Sequence, residues 1–205
     1  MELHDAVAQI TQIRQQLAES TTFRGYRPAT TAFTGVVALA AAAIQSLFID
    51  NPERHPLGFI DIWVSAALLC IVVVGAELMI WSRRSASHMR SEMTIAAVHQ
   101  FAPCIAAGGL LTLVICWYQG QVIWTLAGVW PILFSTGMFA SVRMVGKGLL
   151  AVGGFYLLAG LLILSRGPAL AMWPWYMGLT FGVGQFLAAA VLFLKRKSEV
   201  EHEQQ

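Results

Sequence analysis

The sequence predicts an all-α fold: a polytopic membrane bundle of six transmembrane helices, both termini cytoplasmic, led by an N-terminal cytoplasmic amphipathic helix. Three observations predict it. Of the 205 residues, 57% are hydrophobic and 12% charged, whereas soluble domains carry about a quarter charged residues. Mean hydropathy is +0.65, and the charges are bunched between apolar stretches of roughly the 20 residues that cross a hydrocarbon core. The cations between those stretches fall almost entirely on one side.

The elements follow in order. In residues 1–29, Leu3, Ala6, Ile10, Ile13 and Leu17 step by three and four residues, an a/d pattern over two heptads. Leu3, Ile10, Ile13 and Leu17 are therefore the expected contacts for a homodimer or a cytoplasmic protein partner. A helix lying on the membrane or on the bundle would show the same pattern. The basic, aromatic segment 21–30 suits lipid headgroups. No cleavable signal peptide is expected, because the first thirty residues are polar.

The membrane domain is 30–194, with spans expected over 31–49, 58–81, 94–117, 122–141, 149–164 and 173–194. A charged tail, 195–205, follows. Arg14, Arg24 and Arg27 precede the first span. Arg83, Arg84 and Arg90 join the second to the third, Arg143 and Lys147 join the fourth to the fifth, and Lys195, Arg196 and Lys197 follow the sixth. Only Arg54 and Arg166 lie on the other side, so eleven cations face two and the positive side is cytoplasmic. Trp63, Trp117, Trp124, Trp173 and Trp175 fall at the opposite ends of the spans, where an aromatic belt is expected.

Within the spans, Pro103 and Pro131 are expected to kink their helices. Gly178 and Gly182 form a small-xxx-small pair suited to close helix packing. Gly108-Gly109 is echoed by Gly153-Gly154, and Phe134-x-x-Gly137-x-Phe139 by Phe181-x-x-Gly184-x-Phe186, as parallel repeats of a hairpin would be. Thr112 and Gln185, uncharged and mid-span, are expected to bond between helices.

Ionisable groups inside a span cost a few kcal/mol unless paired, which makes them site candidates. Glu77 and His99 qualify, near the cytoplasmic ends of the second and third spans, with Gln100 and Arg143 able to join them. These four are the candidate ligand- or ion-binding set, admitting a small molecule, ion or lipid. Equally, Glu77 could be clamped by an arginine such as Arg83 or Arg84, or snorkel to the headgroups. No catalytic residue and no metal ligand is assigned. Asp50, Glu53, His55 and Asp61 near the second turn match no metal-loop spacing. Haem is disfavoured, because His99 is the one histidine in a span and bis-His ligation would need a second subunit. No cofactor is therefore expected. Cys70, Cys104 and Cys116 are odd in number and lie in spans, so they read as buried hydrophobes. The chain lacks H-E-x-x-H, G-x-S-x-G and a phosphate loop, which argues against an enzyme. It has no basic, aromatic-interleaved face for nucleic acid.

Three stretches carry a resemblance. Ile10-x-x-Ile13-Arg14-x-x-Leu17-Ala18-x-Ser20-x-x-Phe23 precedes the first span. Gln100-Phe101-Ala102-Pro103 leads into Ala107-Gly108-Gly109-Leu110-Leu111-Thr112, and Ala127-Gly128-Val129-Trp130 into Phe134-x-x-Gly137-x-Phe139-Ala140-Ser141. Together they resemble a group of bacterial integral membrane proteins of similar length, with an N-terminal helix, six spans and no assigned activity. Arg24-Gly25 and Leu126-Ala127 depart from that group's pattern of Thr-Ala and Leu-Pro. The resemblance implies topology and a bacterial inner membrane, and no chemistry.

Overall fold

A computed structural model describes residues 27–84, 88–142 and 146–203. The amphipathic pattern of residues 3–17 and Arg143 lie outside the described residues. Among the described residues, seven α-helices run in order: α1 Pro28–Phe48, α2 Pro56–Arg84, α3 His88–Tyr118, α4 Leu126–Ala140, α5 Gly148–Ser165, the short α6 Gly167–Ala171 and α7 Pro174–Glu203. Six helices among the described residues are long and apolar enough to cross a membrane, over Pro28–Phe48, Pro56–Ile80, His99–Tyr118, Gly120–Ala140, Gly148–Ser165 and Pro174–Lys195. The chain is thus a helical bundle fit to be a multi-pass membrane protein.

Local chemistry sets the helix ends. Pro28 opens α1 at a first-turn position, where its missing N–H costs nothing and its fixed φ fits the helix. Gly167 starts α6 at φ +73°, a conformation in which a side chain would be strained. The fourth span does not begin as α-helix: residues Gly120–Thr125 form a 3-10 turn that feeds directly into α4.

Neighbouring helices in sequence are neighbours in space, and α7 closes the ring against α1. Two seams are tightest, α1 with α7 and α4 with α5. Glycine is the reason in both. A Cβ on Gly128 would lie 2.6 Å from the Gly160 carbonyl oxygen, and a Cβ on Gly160 2.6 Å from that of Gly128. Gly178 faces Ala42, and Gly182 faces Leu39 at 2.8 Å, so the small-xxx-small pair packs as its spacing implies. The α2–α3 seam is the slightest of the ring. Only 17% of the residues in each of these two spans are buried, against 33–44% in the other four.

The core divides along the bundle axis. At the end carrying the 49–55 turn, here the turn end, residues from all six long helices pack together, among them Ala42, Phe59, Ile115, Leu126, Ile163 and Met177. At the opposite end, where residue 27 enters and α7 leaves, the termini end, the core consists of Met138, Leu149, Val152, Tyr156, Ala188 and Leu192, with Phe101 and Phe134 against them. That second core draws on α3, α4, α5 and α7 and on no described residue of α1 or α2.

The sequence echo has a physical counterpart. Gly137 receives the Phe101 ring of α3 at 2.9 Å, and Gly184 receives the Tyr156 phenol of α5. Phe134 and Phe181, which open the two motifs, meet at 5.7 Å with their planes at 71°. Of each Gly-Gly pair, the first packs on α4 and the second has nothing within 4 Å.

Candidate functional site

Of the four sequence candidates, Glu77, His99 and Gln100 lie among the described residues and Arg143 does not. Glu77, 18% exposed, forms an ion pair with Arg27, whose Nε lies 3.4 Å from Glu77 Oε1. Among the described side chains, the arginine partner comes from the segment entering α1; those of Arg83 and Arg84 lie outside them. His99 is exposed, and no hydrogen bond or ion pair joins it to Glu77 among the described residues. At 100° per residue, His99 lies almost opposite Phe101, the ring that points into the bundle. Gln100 is partly buried, and its Oε1 is buried without a hydrogen-bond partner. One turn on, Pro103 has no N–H to give the His99 carbonyl. Around residues 99–103, α3 therefore holds acceptors that its own helix does not satisfy.

The best-formed polar network is at the turn end, and it centres on a residue that sequence reasoning passed over. Gln45, fully buried in α1, donates from Nε2 to the Met172 carbonyl at 2.9 Å. Its Oε1 accepts the indole N–H of Trp63 in α2 at 2.7 Å. Trp63 is 5% exposed, so it belongs to the core and not to the aromatic belt. Trp117, 83% exposed, and Trp173, 49% exposed, keep the belt positions, while Trp124 and Trp175 pack against the core. Phe59 extends the network, stacking on Trp130 at 6.0 Å with planes 7° apart. The Trp130 indole donates to Thr112 Oγ1 at 2.9 Å, and Thr112 donates to the Gly108 carbonyl at 2.7 Å. Thr112 thus bonds between helices as expected, while Gln185 is buried at the α1 seam, its Cβ 3.2 Å from a Cβ built on Gly35. One signal in the sequence pointed at Gln45: it is a lone amide in an alanine-rich span.

No family model, curated protein or solved structure matches this chain. The resemblance noted above therefore stands on its quoted stretches alone, and chemistry has to be read from the side chains.

Two further features bear on it. Tyr156 is fully buried among Phe134, Phe155 and Phe181, at ring separations of 4.9–5.7 Å, and its hydroxyl has no hydrogen-bond partner. A Cβ on Gly184 would run into the Tyr156 phenol. At the turn end, Phe48, Asp50, Asn51, Arg54 and His55 line an open concavity of about 370 Å³. Among the described residues no three His, Cys, Asp or Glu side chains group as metal ligands. The three cysteines are free, and Cys104 Sγ lies 3.2 Å from Thr136 Oγ1.

Proposed function

We propose that this is an integral membrane protein that binds or passes a small molecule, ion or lipid at the termini end, through Glu77, His99, Gln100 and Arg143. The reading places that end at the cytoplasmic face of a bacterial inner membrane. The observation that carries it is the Gln100 amide oxygen, buried without a donor. In an apolar medium such an acceptor costs about 1–3 kcal/mol, a deficit removed by a ligand bringing an N–H, an O–H or a cation. Glu77 supplies negative charge at the same end, balanced by Arg27. Nothing in this set resembles a nucleophile with its base, so the reading is of binding or passage and not of catalysis.

A second reading has its own support. Arg27 is the first described residue, and its pairing with Glu77 ties the chain leaving residues 1–26 to α2. A structural or regulatory subunit, dimerising or recruiting a cytoplasmic partner through Leu3, Ile10, Ile13 and Leu17, could transmit that event through the same contact.

Native mass spectrometry of the gently solubilised protein separates the two. Retention of a small molecule or lipid at fixed stoichiometry, lost in Gln100→Leu and Glu77→Gln, supports the binding reading. A bare dimer that falls to monomer when residues 1–20 are deleted supports the subunit. Reporter fusions at either terminus test the orientation, and a reporter active only outside the cytoplasm should stay silent at both.

A further inference from the structure

We propose that the concavity in the 49–55 turn is a second binding site, shaped for the zwitterionic phosphate–amine headgroup of a membrane lipid. It lies at the opposite end of the bundle from the site proposed above and does not rest on that reading.

The turn is built to present one face. The Asn51 carbonyl accepts the backbone N–H of Arg54 at 3.1 Å and of His55 at 3.2 Å, and the His55 carbonyl accepts that of Phe59 at 3.4 Å. The chain therefore coils as a helix does before α2 begins, with Pro52 and Pro56 fixing two of its φ angles. In such a coil residues three and four apart are neighbours. Asn51, Arg54, His55 and Gly58 stand at i, i+3, i+4 and i+7. All four line the concavity, and its other wall is the end of α1 with Ile49 and Asp50. Gly58 lets the two walls close at the floor, since a Cβ there would lie 3.0 Å from Ile49 Cδ1.

The charges in this space are opposite and held apart. Asp50 and Arg54 share the concavity, and among the described residues neither forms an ion pair, with the other or elsewhere. A single ligand carrying an anion and a cation satisfies both. The Arg54 guanidinium is a planar fork matched to phosphate oxygens, with the His55 ring and the Asn51 amide as further donors beside it. Asp50 accepts from an ammonium group. The volume of about 370 Å³ is at the small end of ligand pockets, which run about 300–1,000 Å³, and suits a compact headgroup.

Depth and surroundings make a lipid the bearer of that group. The first apolar span ends at Phe48 and the second begins at Pro56, so residues 49–55 sit just past the hydrocarbon edge. Trp117 and Trp173, exposed at the same end, mark the interfacial level. Phe48, 79% exposed, forms one lip of the concavity. Ile44, one turn below it on the same face of α1, is 46% exposed. An acyl chain hanging from a headgroup in the concavity runs along that pair, whereas a soluble phosphate has no use for an apolar lip.

The test is native mass spectrometry of the delipidated full-length protein, titrated separately with dioleoyl phosphatidylethanolamine, dioleoyl phosphatidylglycerol and soluble O-phosphoethanolamine. One phosphatidylethanolamine per chain is expected, held about five-fold more tightly than phosphatidylglycerol, which has the phosphate and no ammonium. Asp50→Asn should abolish that preference, and Arg54→Gln should weaken both lipids about five-fold. Glu77→Gln and Gln100→Leu should leave this binding unchanged, which separates failure here from failure of the site at the termini end. Size-exclusion profiles check that every variant is folded. Equal affinity of the wild type for the two lipids, or wild-type affinity in both turn variants, overturns the proposal. Displacement of the lipid by an equal concentration of O-phosphoethanolamine assigns the concavity to a soluble ligand and overturns the lipid assignment.

Discussion

Replacing Gln45 by leucine should weaken the bundle more than any other single polar-to-apolar change within it. Gln45 is fully buried and makes two bonds, 2.7 Å from the Trp63 indole and 2.9 Å to the Met172 carbonyl. Leucine keeps much of the volume and strands both partners. Orphaned groups in an apolar interior cost about 1–3 kcal/mol each. Interhelical bonds in membrane bundles average only about 0.6 kcal/mol, with a maximum near 1.7, because the unfolded chain in lipid also finds partners. Two bonds near the upper membrane figure give a loss of about 2–3 kcal/mol. The assay is reversible unfolding in mixed micelles by SDS titration. Trp63→Phe closes the cycle: with donor and acceptor both gone, the double variant should lose about 1 kcal/mol less than the sum of the singles. A Gln45→Leu loss below about 0.5 kcal/mol, or strict additivity, would refute the reasoning that this network sews α1, α2 and the Met172 segment together.

Four further changes separate packing from chemistry. Gly128→Ala drives a methyl into the Gly160 carbonyl and Leu164, and should cost about 2 kcal/mol or more in the same titration. Gly154→Ala, with nothing within 4 Å, should leave stability within about 0.5 kcal/mol. Tyr156→Phe removes a buried hydroxyl that has no partner, so it should be neutral or stabilising by about 1 kcal/mol; a loss above that would show a bond the hydroxyl makes in the membrane. Trp130→Phe keeps the stack on Phe59 and deletes the bond to Thr112. Its loss should be about 1 kcal/mol, and the remaining tryptophan emission should move to longer wavelength, since Trp130 is half-buried and Trp117 is exposed.

The candidate site was only partly legible in the sequence. Glu77 stood out because a carboxylate in an apolar span needs a partner, and a Glu–Arg clamp was foreseeable. Which arginine supplies it was not, since Arg27 lies fifty residues away and meets Glu77 only because α1 and α2 lie side by side. His99 and Gln100 are adjacent in sequence yet face different surroundings, because one helical step is 100°. Gln45 and Trp63 looked unremarkable apart from their residue types. The network they form needs the end of α1, the start of α2 and the Met172 carbonyl at one point.

By itself, the sequence determined the class of fold and the number and limits of the apolar helices. Those depend on local composition: span length, clustered charge and the proline and glycine punctuation act within a few residues. Only the tertiary structure decided which seams are tight, which tryptophan is core rather than belt, and which cation answers Glu77. Lipid is as apolar as the side chains, so hydropathy cannot say which face of a span meets a neighbour. That choice rests on close backbone approach at Gly128, Gly160, Gly178 and Gly182 and on a few long-range bonds, and it leaves α2 and α3 as the loosely joined pair.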